Sequence, residues 1–261
     1  MSEVMSKIIQ RGIPKVKICG IQSLQEALWA IEAGADALGF IFVPSSKRYI
    51  SPQKAQKIIK QLPPFVSKVG VFVNETPEQI STILQQCFLD SIQLHGQENP
   101  SHYAHLPVCK IKMLPYPGAT IMPSPSTHSF LSHSFPTRIS LGDSSQPNPF
   151  HAIILDSTSP KGTGGTGIPL PWQNPDFQTF YKSLKSLGYP VILAGGLTPA
   201  NVQEAIRLTR PYGVDVSSGV EEMGRKDRRK IQEFIAQVRS SESPLSHLTE
   251  AENEQRKAEV Q

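Results

Sequence analysis

A thiol and a carboxyl group end two apolar segments of this 261-residue chain, where they could exchange protons with a bound molecule. Cys19 ends the segment 16–19, and Gly20 directly after it indicates a tight turn. Asp156 ends the segment 152–156. A thiolate can remove a proton and a protonated carboxyl group can donate one, so the pair could act as base and acid. The simpler interpretations are a buried apolar cysteine and an aspartate that caps the next turn.

Two glycine-rich turns late in the chain predict an anion site. In the first, two glycines follow the apolar segment 190–194 and precede Thr198-Pro199, which begins a predicted helix. Glycine lets the backbone approach an anion closely, and the free N–H groups of a helix N-terminus attract negative charge. The second turn follows the segment 213–216 and offers hydroxyl and amide donors. The predicted phosphate-binding residues are Gly195, Gly196, Ser217, Ser218 and Gly219.

Two further ionisable residues follow predicted strands. Arg48 comes after the second strand, and its planar guanidinium suits a carboxylate, although a surface charge in a loop is an equally simple interpretation. His95 ends the fourth strand, either as a ligand contact or as a hydrogen-bonded residue of the wall. In a parallel sheet both residues would lie at the same end as Cys19 and Asp156.

Metal and dinucleotide signals are weak in this sequence. Residues 162–167 match the pattern GxGxxG, but they lie six residues past a strand end and no helix follows. We expect this loop to form a glycine-rich lid over a ligand. The loose spacing of His102, His105 and Cys109 does not resemble a metal site. We therefore expect neither a metal nor an organic cofactor.

Eight short apolar segments alternate with segments of helical periodicity. The predicted strands are 16–19, 37–42, 66–73, 91–94, 108–112, 152–156, 190–194 and 213–216. The predicted helices, most of which begin near a capping residue or a proline, are 23–33, 52–61, 77–87, 175–187, 199–209 and 227–239. Strands separated by helices pair in parallel through right-handed crossovers. Eight such units predict an α/β fold with a single closed (β/α)8 TIM barrel, and an open doubly wound sheet is the alternative.

Three regions interrupt or flank this alternation. Residues 115–150 are rich in Pro and Ser, and we expect an irregular segment there in place of a regular fifth helix. Residues 1–14 are an N-terminal extension, and residues 15–239 are the barrel domain. Residues 240–261 form an acidic tail that we expect to be disordered.

Composition excludes several classes of protein. The 38% hydrophobic and 18% charged residues exclude a disordered chain, and no run of about 20 apolar residues could span a membrane. The net charge is +4, and we interpret the basic run 225–230 as the solvated start of a helix rather than a nucleic-acid site. The irregularly spaced Cys19, Cys87 and Cys109 indicate free thiols in a reducing compartment, here the cytoplasm, with Cys87 and Cys109 buried. We expect a monomer, because no large apolar stripe is left after the helices are packed.

Seven motifs, in order along residues 15–239, closely resemble the phosphoribosylanthranilate isomerase family. They are KICGI at 17–21, AGADALGFIFVPSSKRYISP at 33–52, VGVFVNE at 69–75, IQLHG at 92–96, ILD with a following GGTG at 153–167, AGGLTPANV at 194–202 and VDVSSGVE at 214–221. Each motif is weak alone, but the ordered series is specific.

The resemblance implies a (β/α)8 enzyme of tryptophan biosynthesis whose small-molecule substrate is N-(5′-phosphoribosyl)anthranilate. An Amadori rearrangement would convert it to 1-(2-carboxyphenylamino)-1-deoxyribulose 5-phosphate without a metal or cofactor. By the same resemblance Cys19 is the general base, Asp156 is the general acid with a raised pKa, and Arg48 binds the anthranilate carboxylate. His95 and Asp215 fall in family motifs near the site and are expected to bind substrate, without a firm role.

Two alternatives stay open at this point. One is an isomerase of a related phosphorylated aminoaldose, such as the substrate of the histidine pathway. Such barrels resemble this one but use carboxylates at both catalytic positions, so Cys19 and Arg48 argue against it. The other is a barrel that binds phosphorylated ligands without catalysis, and the retained acid–base pair argues against that.

Overall fold

The computed structural model describes residues 12–116, 150–157 and 168–241, which form a closed barrel of eight parallel strands. In chain order the strands are β1 (Lys15–Cys19), β2 (Ala37–Ile41), β3 (Ser67–Phe72), β4 (Ser91–Leu94), β5 (Cys109–Tyr116), β6 (Ala152–Ser157), β7 (Val191–Leu193) and β8 (Gly213–Val216). Each strand pairs with the next, and β1 pairs with β8. The predicted barrel is confirmed. The open sheet is wrong, because it would leave β1 and β8 unpaired.

Helices connect most of the strands, and most of the helices begin where the sequence places capping residues. In the described ranges they are α1 (Leu24–Ala33), α2 (Pro52–Ile59), α3 (Pro77–Cys87), α4 (Pro175–Ser186), α5 (Val202–Thr209) and α6 (Arg228–Arg239). Ser23 and Glu26 form the predicted capping box of α1, and Gly34 ends that helix in a left-handed conformation. Between β4 and β5 the chain makes one 3₁₀ turn, Pro100–Tyr103.

Alternation along the strands separates two apolar cores. Side chains that point out of the barrel pack under the helices, and in β1 these are the fully buried Val16 and Ile18. Side chains that point inwards form a second cluster, made of Val69, Ile111, Met113, Ala152, Ile154 and Ala194. Because neighbours along a strand face opposite sides, Lys17 and Cys19 face the barrel interior.

Helix α5 begins three residues later than the sequence predicts. Residues 199–201 form a turn, and the helix starts at Val202. The side chain of Asn201 does not cap the helix. Its Oδ1 instead accepts from the N–H of Thr198 at 2.7 Å, and its Nδ2 donates to the carbonyl of Gly196 at 3.0 Å. The asparagine therefore stabilises the glycine turn rather than the first turn of a helix.

The interpretation of the basic run 225–230 as the solvated start of a helix holds for Arg228 and Arg229, which are 57% and 71% exposed, but is wrong for Lys226. The first two residues of the run form β10 (Arg225–Lys226), which pairs antiparallel with β9 (Glu221–Glu222). Helix α6 follows after its cap, Asp227. The side chain of Lys226 is only 1% exposed. The hairpin thus directs the side chain of Lys226 into the interior of the protein.

Several expectations fall outside the described residues. These are the extension up to residue 11, most of the Pro/Ser-rich segment (117–149), the glycine-rich loop (158–167) and the tail from residue 242. The domain limits at 14/15 and 239/240 therefore stay predictions. Within the described ranges, no helix has the length and apolar character needed to cross a bilayer.

Candidate active site

All ten predicted site residues lie at one end of the barrel. We call the end formed by the carboxyl ends of the strands the upper end, and the opposite end the lower end. Residues within or directly after β1, β2, β4, β6, β7 and β8 meet at the upper end; they are Cys19, Arg48, His95, Asp156, Gly195, Gly196, Asp215, Ser217, Ser218 and Gly219.

The thiol of Cys19 occupies a gap that a glycine leaves open. Cys19 is 6% exposed, and its partner residue in β2 is Gly39. A Cβ atom at Gly39 would lie 2.7 Å from Cys19 Sγ and 3.1 Å from Lys17 Nζ. The thiol and the ammonium group therefore share the space that a side chain at this position would fill.

Lys17 is a buried ammonium group between a carboxylate and the thiol. Its Nζ donates to Asp215 Oδ1 at 2.8 Å, and the two side chains are 5% and 10% exposed. Burial lowers the pKa of Lys17, but the charges and hydrogen bonds of Asp215 and Cys19 outweigh burial, so that the pKa is raised. Lys17 is therefore charged at neutral pH.

The surroundings of Cys19 raise the pKa of its thiol. Burial is the largest cause, the Lys17 ammonium lowers the pKa, and the Asp215 carboxylate raises it again. Lys226 also lowers it. Because the net direction is upward, the thiol is protonated in the resting site at neutral pH, and further positive charge nearby would favour the thiolate.

The carboxyl group of Asp156 faces the imidazole of His95. Asp156 Oδ2 lies 3.9 Å from His95 Nε2, and Asp156 Oδ1 accepts from the N–H of Ser157 at 2.7 Å. Gln93 Nε2 lies 2.9 Å from His95 Nδ1 and can only donate, so we assign the imidazole proton to Nε2. Burial lowers the pKa of His95 to about 4, which makes the ring neutral at pH 7. His95 is thus hydrogen-bonded within the wall and places no positive charge beside Asp156, and its contact with substrate stays a prediction.

The two predicted phosphate turns pack against each other, and the first of them also packs against Asp156. Gly195 and Gly196 have φ angles of 73° and 63°, in the left-handed region that favours glycine. A Cβ atom at Gly195 would lie 3.1 Å from Asp156 Oδ1. A Cβ atom at Gly219 would overlap the carbonyl oxygen of Leu197. The glycines therefore allow one turn to approach the carboxyl group and the other turn to pack against the first.

Arg48 is buried and paired with a carboxylate of the protein. It is 7% exposed, so the interpretation as a solvated loop charge is wrong. Its Nε and Nη2 donate to the two oxygens of Glu221 at 2.6 and 2.9 Å, and Lys226 Nζ donates to Glu221 Oε1 at 2.7 Å. Burial raises the pKa of Glu221, but the two cations outweigh burial and the pKa is lowered. Glu221 is therefore ionised at neutral pH.

A further buried ion pair holds the loops beside His95. Lys112 Nζ in β5 lies 2.8 Å from Glu98 Oε2, with side-chain exposures of 6% and 0%. Glu98 also accepts from the N–H groups of Asn74 at 2.7 Å and Gly96 at 2.9 Å. The pair therefore ties the loops after β3 and β4 to β5.

Sequence reasoning assigned no role to five charged residues that complete this end of the barrel. They are Lys17, Glu98, Lys112, Glu221 and Lys226. A signal existed for Lys17, which stands in an apolar strand two positions before Cys19 and therefore shares its face. No local signal identified Glu221 and Lys226, because their burial depends on the β9–β10 hairpin.

A cavity of about 650 Å³ opens at the lower end, and of the charged residues just named it is lined by Lys17 alone. It is lined by the starts of the strands, including Ala37, Ser91 and Gly213, and by none of the ten predicted site residues. Cys109 lines it and is exposed there, so the expectation that it is buried is wrong. All three cysteines are free thiols, as predicted. Among the described residues, no group of three His, Cys, Asp or Glu could hold a metal ion.

Family comparison agrees with this geometry. The sequence matches the family model of N-(5′-phosphoribosyl)anthranilate isomerase over residues 16–123 and 131–237. The chain belongs to this family. An isomerase of this name from Desulfitobacterium hafniense is 56% identical over 241 residues, which cover 89% of this chain and 100% of that protein. The isomerase from Geobacter metallireducens is 40% identical over 227 residues, which cover 87% and 99%.

Solved structures of the phosphoribosylanthranilate isomerase family share the fold. The crystal structure from Thermotoga maritima has a TM-score of 0.69 at 37% identity and covers 87% of this chain and 98% of that one. A complex of a phosphoribosylanthranilate isomerase with reduced 1-(o-carboxyphenylamino)-1-deoxyribulose 5-phosphate has a TM-score of 0.68 at 36% identity, with the same coverage. The family resemblance of the sequence motifs is therefore confirmed.

Proposed function

We propose that this chain isomerises N-(5′-phosphoribosyl)anthranilate to 1-(2-carboxyphenylamino)-1-deoxyribulose 5-phosphate in tryptophan biosynthesis. The observation that carries the proposal is a buried thiol and a buried carboxyl group, Cys19 and Asp156, at the upper end of a barrel of this family. The relative that was solved with the reduced product supports the same substrate class.

Anion sites at two ends of the substrate would orient it. The turn with Gly195 and Gly196 and the turn at 217–219 offer backbone N–H groups to the 5′-phosphate. The Arg48 guanidinium offers Nη1, which Glu221 does not bind, to the anthranilate carboxylate. Held in this way, the ribose lies between Cys19 and Asp156, which makes the proton transfers effectively intramolecular.

The first chemical step opens the ribose ring. Asp156, in its protonated form, donates a proton to the ring oxygen, and the bond between C1′ and that oxygen breaks. The lone pair of the anilino nitrogen forms a C1′=N double bond, which leaves a positively charged iminium ion. The neutral ring of His95 suits this role, because a cation beside Asp156 would hold its carboxyl group in the ionised form.

The second step removes the proton from C2′. The positive iminium ion lies beside Cys19 and, together with Lys17, favours release of the thiol proton to water, so that the thiolate is the form that acts as base. The thiolate takes the C2′ proton, and the electrons of that bond form C1′=C2′ and neutralise the nitrogen. The resulting enolamine tautomerises to the ketose, so that substrate and product are isomers. No step requires a metal or a redox cofactor.

Turnover of purified variants tests this assignment. We expect Cys19→Ser and Asp156→Asn each to lower kcat by about 10²- to 10⁴-fold, because each removes one proton-transfer group. Binding of the reduced product analogue should persist in both variants, since neither change touches Arg48 or the glycine turns. Cys87→Ser, at a buried free thiol outside the site, is the matched control and should keep full turnover.

Unchanged turnover in both site variants would eliminate this mechanism. Turnover of the histidine-pathway aminoaldose, at a rate that equals or exceeds that of phosphoribosylanthranilate, would instead support the related isomerase. Tight binding of the analogue without any turnover in the unaltered protein would support the non-catalytic barrel. Growth of a tryptophan auxotroph that lacks this step provides the complementary test in cells.

The monomeric state and the cytoplasmic location also stay predictions. A solved relative is described as monomers generated from the dimeric isomerase of Thermotoga maritima, so both states occur among related structures. In this chain the exposed aromatic side chains Phe65 and Phe88 lie in loops rather than in a stripe along a helix. Sedimentation velocity of the full chain distinguishes the two states.

A further inference from the structure

Glu221 occupies one edge of the Arg48 guanidinium and leaves another free. The carboxylate binds the Nε–Nη2 edge in a bidentate arrangement, with distances of 2.6 and 2.9 Å. Among the described residues, Nη1 has no hydrogen-bond partner. Because a guanidinium is rigid and planar, fixing one edge also fixes the direction in which the free corner points.

Packing against the backbone fixes the stem of Arg48 as well. A Cβ atom at Gly20 would lie 2.6 Å from Arg48 Cδ. Gly20 directly follows Cys19 and has a φ angle of 83°. The arginine therefore lies on the turn that ends the strand of the proposed base, with its head group held by Glu221.

Lys226 connects this carboxylate to the turn after β8. Its Nζ donates to Glu221 Oε1 at 2.7 Å and to the carbonyl of Ser217 at 3.0 Å. Ser217 Oγ in turn donates to the carbonyl of Cys19 at 2.9 Å. One buried ammonium group thus touches both the partner of Arg48 and the turn that we assign to phosphate binding.

The charges of this cluster do not balance. Arg48 and Lys226 are two cations, Glu221 is one carboxylate, and the side chains are 8%, 1% and 7% exposed. A buried cluster with one net positive charge favours the arrival of an anion. Nη1 of Arg48 is the part of the cluster whose N–H groups can still donate to that anion.

We infer that Glu221 and Lys226 are positioning residues that aim Arg48 at the substrate carboxylate and connect that end of the substrate to the phosphate turn. The inference rests on the proposed function, because it assumes that Arg48 meets the anthranilate carboxylate. Neither residue has to touch the reacting atoms.

Two analogues measure the contribution of the carboxylate directly. One is the reduced product analogue, and the other is its anilino counterpart without the carboxylate. The ratio of their Kd values reports how well the site binds that group. In Glu221→Gln we expect the preference for the carboxylated analogue to fall about tenfold, because a displaced guanidinium loses the alignment of its bonds.

Two further variants separate position from charge and from general damage. Glu221→Asp keeps the charge but withdraws the carboxylate by one methylene group, so the preference should fall there too. Glu222→Gln is the matched control at the neighbouring residue, whose carboxylate pairs with Lys230 and is 57% exposed. It should keep the preference. Two results for Glu221→Gln would overturn the inference. If both analogues bind more weakly by the same factor, the substitution has disturbed the whole site. If the preference for the carboxylated analogue becomes stronger, Glu221 competes with the substrate carboxylate for Arg48.

Lys226→Met tests the connection to the phosphate turn. We expect it to lower the preference for the carboxylated analogue and also to weaken competitive inhibition by inorganic phosphate several-fold. Glu221→Gln should leave phosphate inhibition unchanged. If Lys226→Met does not fold, Lys226→Arg keeps the charge with a different geometry and should show both effects in weaker form. Phosphate inhibition that stays unchanged in the folded Lys226 variant overturns the connection.

Arg48→Ala distinguishes failure of the inference from failure of the proposed function. We expect it to abolish the preference between the two analogues. A preference that persists in Arg48→Ala overturns the proposed role of Arg48, and the inference with it. A preference that is lost in Arg48→Ala but kept in both Glu221 variants overturns the inference alone.

Discussion

The two ends of the barrel hold their charges in different surroundings. At the upper end every side chain of three ion pairs is 10% exposed or less; the pairs are Lys17–Asp215, Arg48–Glu221 and Lys112–Glu98. At the lower end the side chains of two pairs are 20–59% exposed; these pairs are Lys15–Asp36 and Lys68–Asp90. The same strand, β1, contributes Lys17 to the first group and Lys15 to the second.

Stability alone does not explain the buried charges. Removing ions from water costs several kcal/mol per ion, and well-packed apolar residues are often as stabilising as a buried pair. Exposed ion pairs contribute only about 0–1 kcal/mol to stability, and their charges lose little hydration on folding. The comparison therefore favours the proposal that the upper-end pairs hold groups in place for binding and proton transfer, at the end where barrels of this type have their site.

The largest stability difference is expected from breaking the Lys112–Glu98 pair. Lys112→Met leaves a fully buried carboxylate without its cation, which should lower the free energy of unfolding by about 3–5 kcal/mol. Lys68→Met at the lower end is the matched control and should cost about 1 kcal/mol or less, since Asp90 is 45% exposed. Urea denaturation monitored by circular dichroism measures both.

A double variant sharpens this test. Glu98→Gln combined with Lys112→Met removes both charges, so the loss should be smaller than in Lys112→Met alone. If Lys112→Met and Lys68→Met lower the free energy of unfolding by the same amount, the contrast between the two ends is wrong.

An intermediate effect is expected on the reactivity of Cys19. Alkylation by iodoacetamide follows the thiolate, so its rate should rise only at a more alkaline pH than for an ordinary thiol. Lys17→Met should move this pH profile further upward, because it removes a cation that lowers the pKa. Asp215→Asn should move it downward, because the Asp215 carboxylate raises the pKa. Lys226, which also lowers the pKa, is unchanged in both variants.

Mass spectrometry of each peptide separates Cys19 from the exposed Cys109, which serves as an internal standard. Lys15→Met, at the lower end of the same strand, is the control and should leave the profile of Cys19 unchanged. Shifts in the same direction for Lys17→Met and Asp215→Asn would falsify the assigned arrangement of charges.

The smallest effect is expected from Asp36 at the lower end. Burial raises its pKa, but hydrogen bonds from Arg239, the N–H of Val16 and Lys15 outweigh burial, so the pKa is lowered. A lowered pKa in the folded state stabilises the protein above the unfolded pKa of about 3.9, and this stabilisation is lost as the pH falls through the folded pKa. Asp36→Asn should therefore lower the free energy of unfolding by about 1 kcal/mol or less at pH 7, and by a smaller amount below about pH 4.

Turnover by Asp36→Asn should equal that of the unaltered protein, because the residue lies at the end opposite the site. Urea denaturation at several pH values and a turnover assay provide the measurements. A stability difference that grows on acidification, or a large loss of turnover, contradicts the separation of the two ends.

Local patterns in the sequence were sufficient to predict the barrel and the end of it at which Cys19 and Asp156 lie. A short β-branched apolar run and a capping box predicted β1 and α1 within a residue, because both signals depend on neighbouring residues only. Cys19 and Asp156 could be located for the same reason, since strand ends in a barrel of this type share one face. The late start of α5 was missed because Asn201 bonds to the preceding turn instead of capping the helix.

Only the tertiary structure decided which charges surround the reactive groups. Arg48 and Glu221 are 173 positions apart, and Lys17 and Asp215 are 198 apart, so no local pattern reports that they pair. The sequence by itself determined that the chain contains these ions and that β1 places Lys17 on the face of Cys19. Closure of β1 against β8 and the β9–β10 hairpin determined their burial, and burial is what strengthens their electrostatic interactions and shifts the pKa of the thiol.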